Sequence, residues 1–234
     1  MLRGMLLLLA LLLARPVSAL EITPTTLTLS PGQARTELWL HNPGPVIWQG
    51  RIRIFAWDQT LDAEELQESQ DIVVSPAALE LPPGVRQRVW VLSAPAAPPE
   101  SKGEQAFRVL LEPSSPDLPR YSLPLFRTPT AGAKPRLHLR VDARGTNSSL
   151  LLENTGKLHA RLSDLVFEAA DGHRELLLPG LAGYILTGRQ RHWPLPPRAD
   201  GYAGGRFHAR LQDGLEHALP PQTGHIADDS TGAL

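Results

Sequence analysis

The sequence predicts an all-β protein made of two sandwich domains, and three observations carry that expectation. Short runs rich in leucine, β-branched and aromatic residues recur along the chain with Gly/Pro turn signals between them. Pro (23) and Gly (19) together make about 18 % of the 234 residues, against ~12 % in ordinary proteins, so long helices are not expected. A small, Pro-flanked stretch near the middle, Thr128-Pro129-Thr130-Ala131-Gly132-Ala133-Lys134-Pro135, reads as a boundary, after which the strand pattern restarts.

In chain order, residues 1–19 come first. A single Arg3 precedes an unbroken apolar run at 5–14, and Val17-Ser18-Ala19 has the small residues a leader peptidase requires; this is read as a secretory signal peptide. A membrane span needs ~20 apolar residues and this run has about half that, so the mature chain, starting at Leu20 or Glu21, is expected to be exported and not inserted in a membrane. Seven strand-like runs follow, at 22–29, 36–41, 47–57, 72–74, 85–92, 105–111 and 121–126, an immunoglobulin-like count for a domain over 20–128. The one helical candidate, 61–67, is read as a solvated turn. Beyond a linker at 129–135, a second and smaller β-sandwich is expected over 136–222, with runs at 137–141, 149–153, 160–167, 176–178, 190–195 and 207–211. Residues 223–234 turn polar and Gly-rich and are expected to be a disordered tail.

Composition and motifs exclude most chemistry. Lys+Arg (23) balance Asp+Glu (24) for a net charge of -1, which leaves no basic stripe of the kind that displaces counterions from nucleic acid. The absence of cysteine removes thiol catalysis, Cys-ligated zinc, iron–sulfur clusters and disulfides, so stability rests on packing. The eight histidines, His41, His138, His159, His173, His192, His208, His217 and His225, form no metal-ligand spacing. No nucleophile elbow or phosphate-cradling glycine loop occurs, and Asp171-Gly172 and Asp213-Gly214 read as hairpin turns. No enzyme activity, metal or cofactor is expected. The tryptophans Trp39, Trp48, Trp57, Trp90 and Trp193 are spread over different runs among apolar neighbours and are read as core packing rather than a sugar-stacking face.

What remains is binding, and here the motifs carry a resemblance. Leu40-His41-Asn42-Pro43, Trp57 closing the third run, Val74-Ser75-Pro76 followed by Leu81-Pro82-Pro83-Gly84, then 107–113 (FRVLLEP) and Leu123-Pro124-Leu125-Phe126 together resemble the PapD-like periplasmic pilus chaperones. The branch most similar is the archaic one serving spore-coat-U-type pili. Glu153-Asn154-Thr155-Gly156 and Gly183-Tyr184-Ile185-Leu186-Thr187-Gly188 extend the likeness into the second half. The resemblance implies two immunoglobulin-like domains in a boomerang arrangement and a location in the periplasm. It also implies a chaperone that binds pilus or fimbrial subunits by β-augmentation, lending its last first-domain strand to a subunit that lacks one, and hands them to an outer-membrane usher.

The same resemblance implies site residues. The lent strand is 121–126, whose Tyr121, Leu123 and Leu125 alternate and so share one face. That face enters either a subunit groove or this domain's own core. Classical members grip the subunit's terminal carboxylate with one basic residue on the first strand and one on the donor strand; here Leu27 and Pro124 stand in those places. Trp90 replaces an arginine usual near the end of the fifth strand. The anchor is then absent or rebuilt from Arg88, which alternation puts on the face of Trp90, with Arg86 and Arg120 as further candidates. An interdomain ion network is implied at Glu112, Arg127 (within one residue of register) and Asp200, against the plainer reading of three separate surface charges. The rival function is a secreted two-domain β-sandwich adhesion or carbohydrate-binding module using Trp57 or Trp193.

Overall fold

The computed structural model describes residues 19–61, 63–94, 103–129, 131–144 and 147–221. Most of the expected signal peptide and the whole expected tail lie outside the described residues. The described residues form seventeen strands and no helix. Among them no helix is long and apolar enough to cross a membrane.

The first sandwich is built from β1 (Glu21–Thr23), β2 (Leu27–Leu29), β3 (Arg35–His41), β4 (Trp48–Gln59), β5 (Glu64–Glu68), β6 (Ile72–Ser75), β7 (Ala78–Leu81), β8 (Arg86–Ser93), β9 (Gln105–Pro113) and β10 (Tyr121–Arg127). One sheet has the order β1-β3-β8-β6, the other β2-β10-β9-β4-β5, with β7 also paired to β4. Alternation explains the facing: in β4, Ile52 and Ile54 are buried while Arg51 and Arg53 are exposed, as a strand with one face on a core requires. Leu27, Leu29, Leu38, Leu40, Leu81 and Leu111 are fully enclosed in that core.

Three features depart from the seven expected strands. The 22–29 run divides at Pro24 into β1 and β2, which lie in different sheets; a proline has no N–H to continue a ladder. The segment read as a solvated turn overlaps all but the last residue of β5, whose five residues are all exposed. With no buried side there is no apolar alternation to betray it. β7 is hidden by the prolines that follow it.

The second sandwich contains β11 (Leu137–Arg144), β12 (Asn147–Asn154), β13 (Ala160–Glu168), β14 (Arg174–Ile185), β15 (Gln190–Leu195), β16 (Arg206–Arg210) and β17 (Glu216–Ala218). Its sheets run β11-β12-β15 and β14-β13-β16-β17. β14 is far longer than the expected 176–178 run because it continues past an irregularity. The Gly180 N–H donates to Asp164 Oδ1 at 2.8 Å, and both residues have positive φ. Around Phe167, buried with Tyr202 and Phe207, the three rings stand 4.9 to 5.6 Å apart, a geometry aromatic pairs favour. A Cβ at Gly205 would fall 2.1 Å from the Phe167 ring, so this backbone must pass there without a side chain.

By compactness the chain does not divide at a single cut in the linker. Of the described residues, 57–61, 63–66 and 103–106 group with the second unit, and the others before 127 form the first. Within the second unit, the Gln59 side chain acts as a short strand: its Nε2 donates to the Tyr184 carbonyl at 3.0 Å, and Leu186 N–H donates to its Oε1 at 2.9 Å.

Candidate functional site

β10 is the last strand of the first sandwich, and it is flanked unequally. β9 runs along one side, while the other neighbour, β2, is three residues long against the seven of β10. A three-residue partner covers about half of that edge at most. Leu123 and Leu125 do not reach outward: both belong to the first sandwich's core, with Leu125 fully enclosed. The face that alternation assigns them is therefore the domain's own interior, as in the last strand of any sandwich. Tyr121 is partly buried against the same core, and its hydroxyl accepts the Leu20 N–H at 2.8 Å. On the opposite face Ser122 is exposed, whereas Pro124 and Phe126 are buried.

Of the cationic candidates, Arg120 is exposed immediately before β10. Arg86 and Arg88 lie elsewhere, on the outer face of the β1-β3-β8-β6 sheet. The β3 and β8 register sets Trp39 opposite Arg88 and Glu37 opposite Trp90, and the side chains interleave. The Arg86 guanidinium stands 4.5 Å over the Trp39 ring, and Arg88 stands 5.4 Å from Trp39 and 4.3 Å from Trp90. Arg35 closes the row 4.6 Å over Trp90. Such contacts contribute ~0.5–1 kcal/mol each at exposed sites. Glu37 pairs with Arg88 at 3.5 Å. Trp39 and Trp90 are thus half-buried surface residues, not core, which corrects the reading of all five tryptophans as core. Trp48, Trp57 and Trp193 are buried.

The three charges of the implied ion network each have a local partner. Glu112 pairs with Arg53 at 3.7 Å, Arg127 Nε donates to Gln105 at 2.7 Å, and Asp200 takes both an Arg198 hydrogen bond at 2.8 Å and the Tyr202 N–H. Arg53 reaches the Glu112 carboxylate and Arg198 that of Asp200. Arg198 holds the Asp200 carboxyl below the usual carboxylate range, with the Tyr202 N–H adding to the effect. Arg189, with contacts of 2.5 and 2.8 Å, does the same for Asp58. Among the described residues no cluster of His, Asp and Glu could hold a metal ion.

One surface was not anticipated. At one end of the first sandwich Pro43, Pro45, Val46, Ile47, Pro83 and Val85 are all exposed. Two loops form this end, and Asn42 fixes them: its amide donates to the carbonyls of Val46 and Leu81, both at 2.8 Å, and accepts the Gly44 N–H at 3.1 Å. The only sequence signal was a run of uncharged residues within what reads as turn punctuation.

No family model matches the chain, and no curated protein does. Solved structures do share its fold. A chain of the CsuC–CsuE chaperone–tip adhesion subunit pre-assembly complex, from the archaic chaperone-usher Csu pili of Acinetobacter baumannii, matches with a TM-score of 0.68 at 21 % identity, over 86 % of this chain and 97 % of that one. The CupB2 chaperone of Pseudomonas aeruginosa matches at 0.57 and 16 % identity, over 85 % and 99 %. A chain of the Salmonella enterica SafA pilin complex with the SafB chaperone matches at 0.57 and 14 %, over 88 % and 97 %. The protein therefore has the two-sandwich, immunoglobulin-like fold of these structures.

Proposed function

We propose that this chain is a periplasmic chaperone that binds pilus subunits by strand donation and delivers them to an outer-membrane usher, with no enzymatic activity and no cofactor. The observation that carries the reading is β10, a terminal strand whose one neighbour is too short to cover its edge. Unpaired backbone groups on such an edge are a template for another chain. The lent element is β10 through its backbone, with Tyr121, Leu123 and Leu125 holding the strand in place from the core side. Arg120, exposed at its start, is the cation best placed to meet a subunit carboxylate. The fold shared with chaperones solved with a tip adhesin or a pilin supports the same reading, and residues 1–19 supply the export signal.

The exposed apolar end held by Asn42 supports a second contact, to the usher. Exposed apolar patches on otherwise soluble domains mark interaction surfaces. The matching corner of the second sandwich is covered: Glu104 N–H donates to the Lys157 carbonyl at 3.0 Å, and its carboxylate meets His159 N–H and Nδ1, both at 2.7 Å. The carbohydrate-binding alternative is disfavoured by the tryptophans. Trp57 and Trp193 are buried, and both rings of the exposed pair are flanked by guanidinium groups, which leaves no face for a sugar to stack on.

Co-expression with a pilus subunit tests the reading through subunit recovered from the periplasm. Ser122→Pro, which removes a backbone N–H from an exposed position of β10, should abolish recovery while the free chaperone melts close to the wild type. Equal subunit degradation with and without the wild-type chain would overturn the proposal.

A further inference from the structure

The row Arg86, Trp39, Arg88, Trp90, Arg35 is a preorganised array of cations. Each tryptophan lies between two guanidinium groups, so the ring faces are occupied and the side of the array open to a partner is guanidinium N–H. Stacking fixes the planar forks before any ligand arrives, which lowers the side-chain entropy lost on binding. On this face three arginines stand against two carboxylates, Glu37 and Glu21, the second held by His41 at 2.8 Å, on a protein whose net charge is -1, so the row is a local positive stripe on a nearly neutral chain.

We propose that this outer face is a docking stripe for an extended, acidic segment of a partner protein, independent of strand donation by β10. Charge complementarity and geometry select that partner. Arg86 and Arg88 are two residues apart on β8, so their Cα atoms are separated by ~6.6 Å, the spacing of successive same-side residues in any extended chain. Carboxylates on alternate residues of an extended segment repeat at the same interval, and each guanidinium fork can donate to one in a bidentate pair. A lipid surface presents a two-dimensional field of charge and suits a single line of cations less well. Glu37, 3.5 Å from Arg88, is the internal competitor that an incoming carboxylate displaces.

The test is calorimetric titration of the full mature chain with a blocked alternating Thr-Glu decapeptide, its Thr-Gln counterpart, and vesicles of phosphatidylglycerol. The Thr-Glu peptide should bind, and binding should weaken as salt rises. The double variant Arg86→Gln, Arg88→Gln should weaken it at least tenfold, and Arg88→Lys should not restore full affinity because a lysine stacks differently. Glu37→Gln should tighten binding several-fold, which keeps the test decisive if the double variant does not fold. Absence of peptide binding, equal binding of the Thr-Gln peptide, indifference to the Glu37 change, or binding to vesicles alone would each overturn the proposal. A chain that bound the acidic peptide yet failed to protect a subunit would leave this stripe standing and remove the chaperone reading.

Discussion

Asn42 and Asn154 occupy the same corner of the two sandwiches. Each ends a strand-turn of the form Asn-x-Gly, and each accepts the N–H of the glycine two residues on. Each also donates its amide to the carbonyl four residues on and to one from a distant strand: Val46 and Leu81 for Asn42, Leu158 and Ile185 for Asn154. The backbones match too. Asn42 N–H donates to Val85 and its carbonyl accepts from Gly84, while Asn154 N–H donates to Arg189 and its carbonyl accepts from Gly188. Asn154 takes one bond more, from Arg136 N–H at 3.1 Å, which brings its amide to four.

Both corners should be sensitive to truncation. Leaving a buried donor or acceptor unpaired costs ~1–3 kcal/mol, so Asn42→Ala and Asn154→Ala should each destabilise by about 2–4 kcal/mol, with Asn154 the larger loss. Urea unfolding of the two variants measures this; a change within about 0.5 kcal/mol of the wild type would show that the corners are held by other contacts.

Substitutions in β10 separate core from partner contact. Leu125→Ala removes a fully enclosed side chain and should cost ~2–5 kcal/mol, with Leu123→Ala at the lower end. Because both side chains face inward, subunit recovered per folded chaperone should stay near the wild-type value. Thermal melting together with periplasmic recovery tests this, and unchanged melting with lost recovery would place these leucines in the subunit groove instead.

The separate partners of Glu112, which meets Arg53, and of Arg127, which donates to Gln105, predict additivity. Single substitutions of Glu112 and Arg127 to alanine should sum, within about 0.5 kcal/mol, to the effect of the double variant. Glu112 and Arg53 are both partly exposed, so loss of that pair should cost ~1 kcal/mol or less. A coupling energy above this in a double-mutant cycle would establish the shared network that the resemblance implies.

Acid should weaken the second unit through its aspartates. Asp58 is held below the usual carboxylate range by Arg189, Asp164 by the Gly180 N–H, Asp200 by Arg198 and Asp213 by the Leu215 N–H. Each is a group whose folded value lies below its unfolded value of ~3.9. Its stabilisation is therefore complete above that value and is lost as pH falls through the lower folded one. Melting temperature should drop below about pH 4, and the drop should be shallower in Asp58→Asn. The same acid slope in that variant would refute the assignment.

The parts of this fold that were legible in the sequence are those where one side of a strand is buried. β4 and β13 announce themselves by alternation or an apolar run. β5 carries no inward side chain, so nothing periodic marks it. Period alone also cannot say which way a face points, which is why Leu123 and Leu125 read equally well as groove or core. Half of the arginine row was visible as Arg86, Arg88 and Trp90 on one strand. The other half, Arg35, Glu37 and Trp39, needed the register between β3 and β8, a long-range pairing that sequence spacing does not contain. The pairing of Asp200 with Arg198 was missed for a simpler reason: a cation two residues away is nearer than any the resemblance supplies.

The division of residues 22–29 between two sheets has a dynamic consequence. β1 closes one sheet and β2 the other, and only three residues separate them. A segment that short cannot release one strand without loosening its neighbour, so the opening motions of the two sheet edges are joined at this point. In hydrogen–deuterium exchange, the amides of β1 and β2 should gain deuterium as a single unit although no ladder connects them. The beginning of the chain then works like a rivet through both layers, and what unseats it exposes the edge of β10 as well.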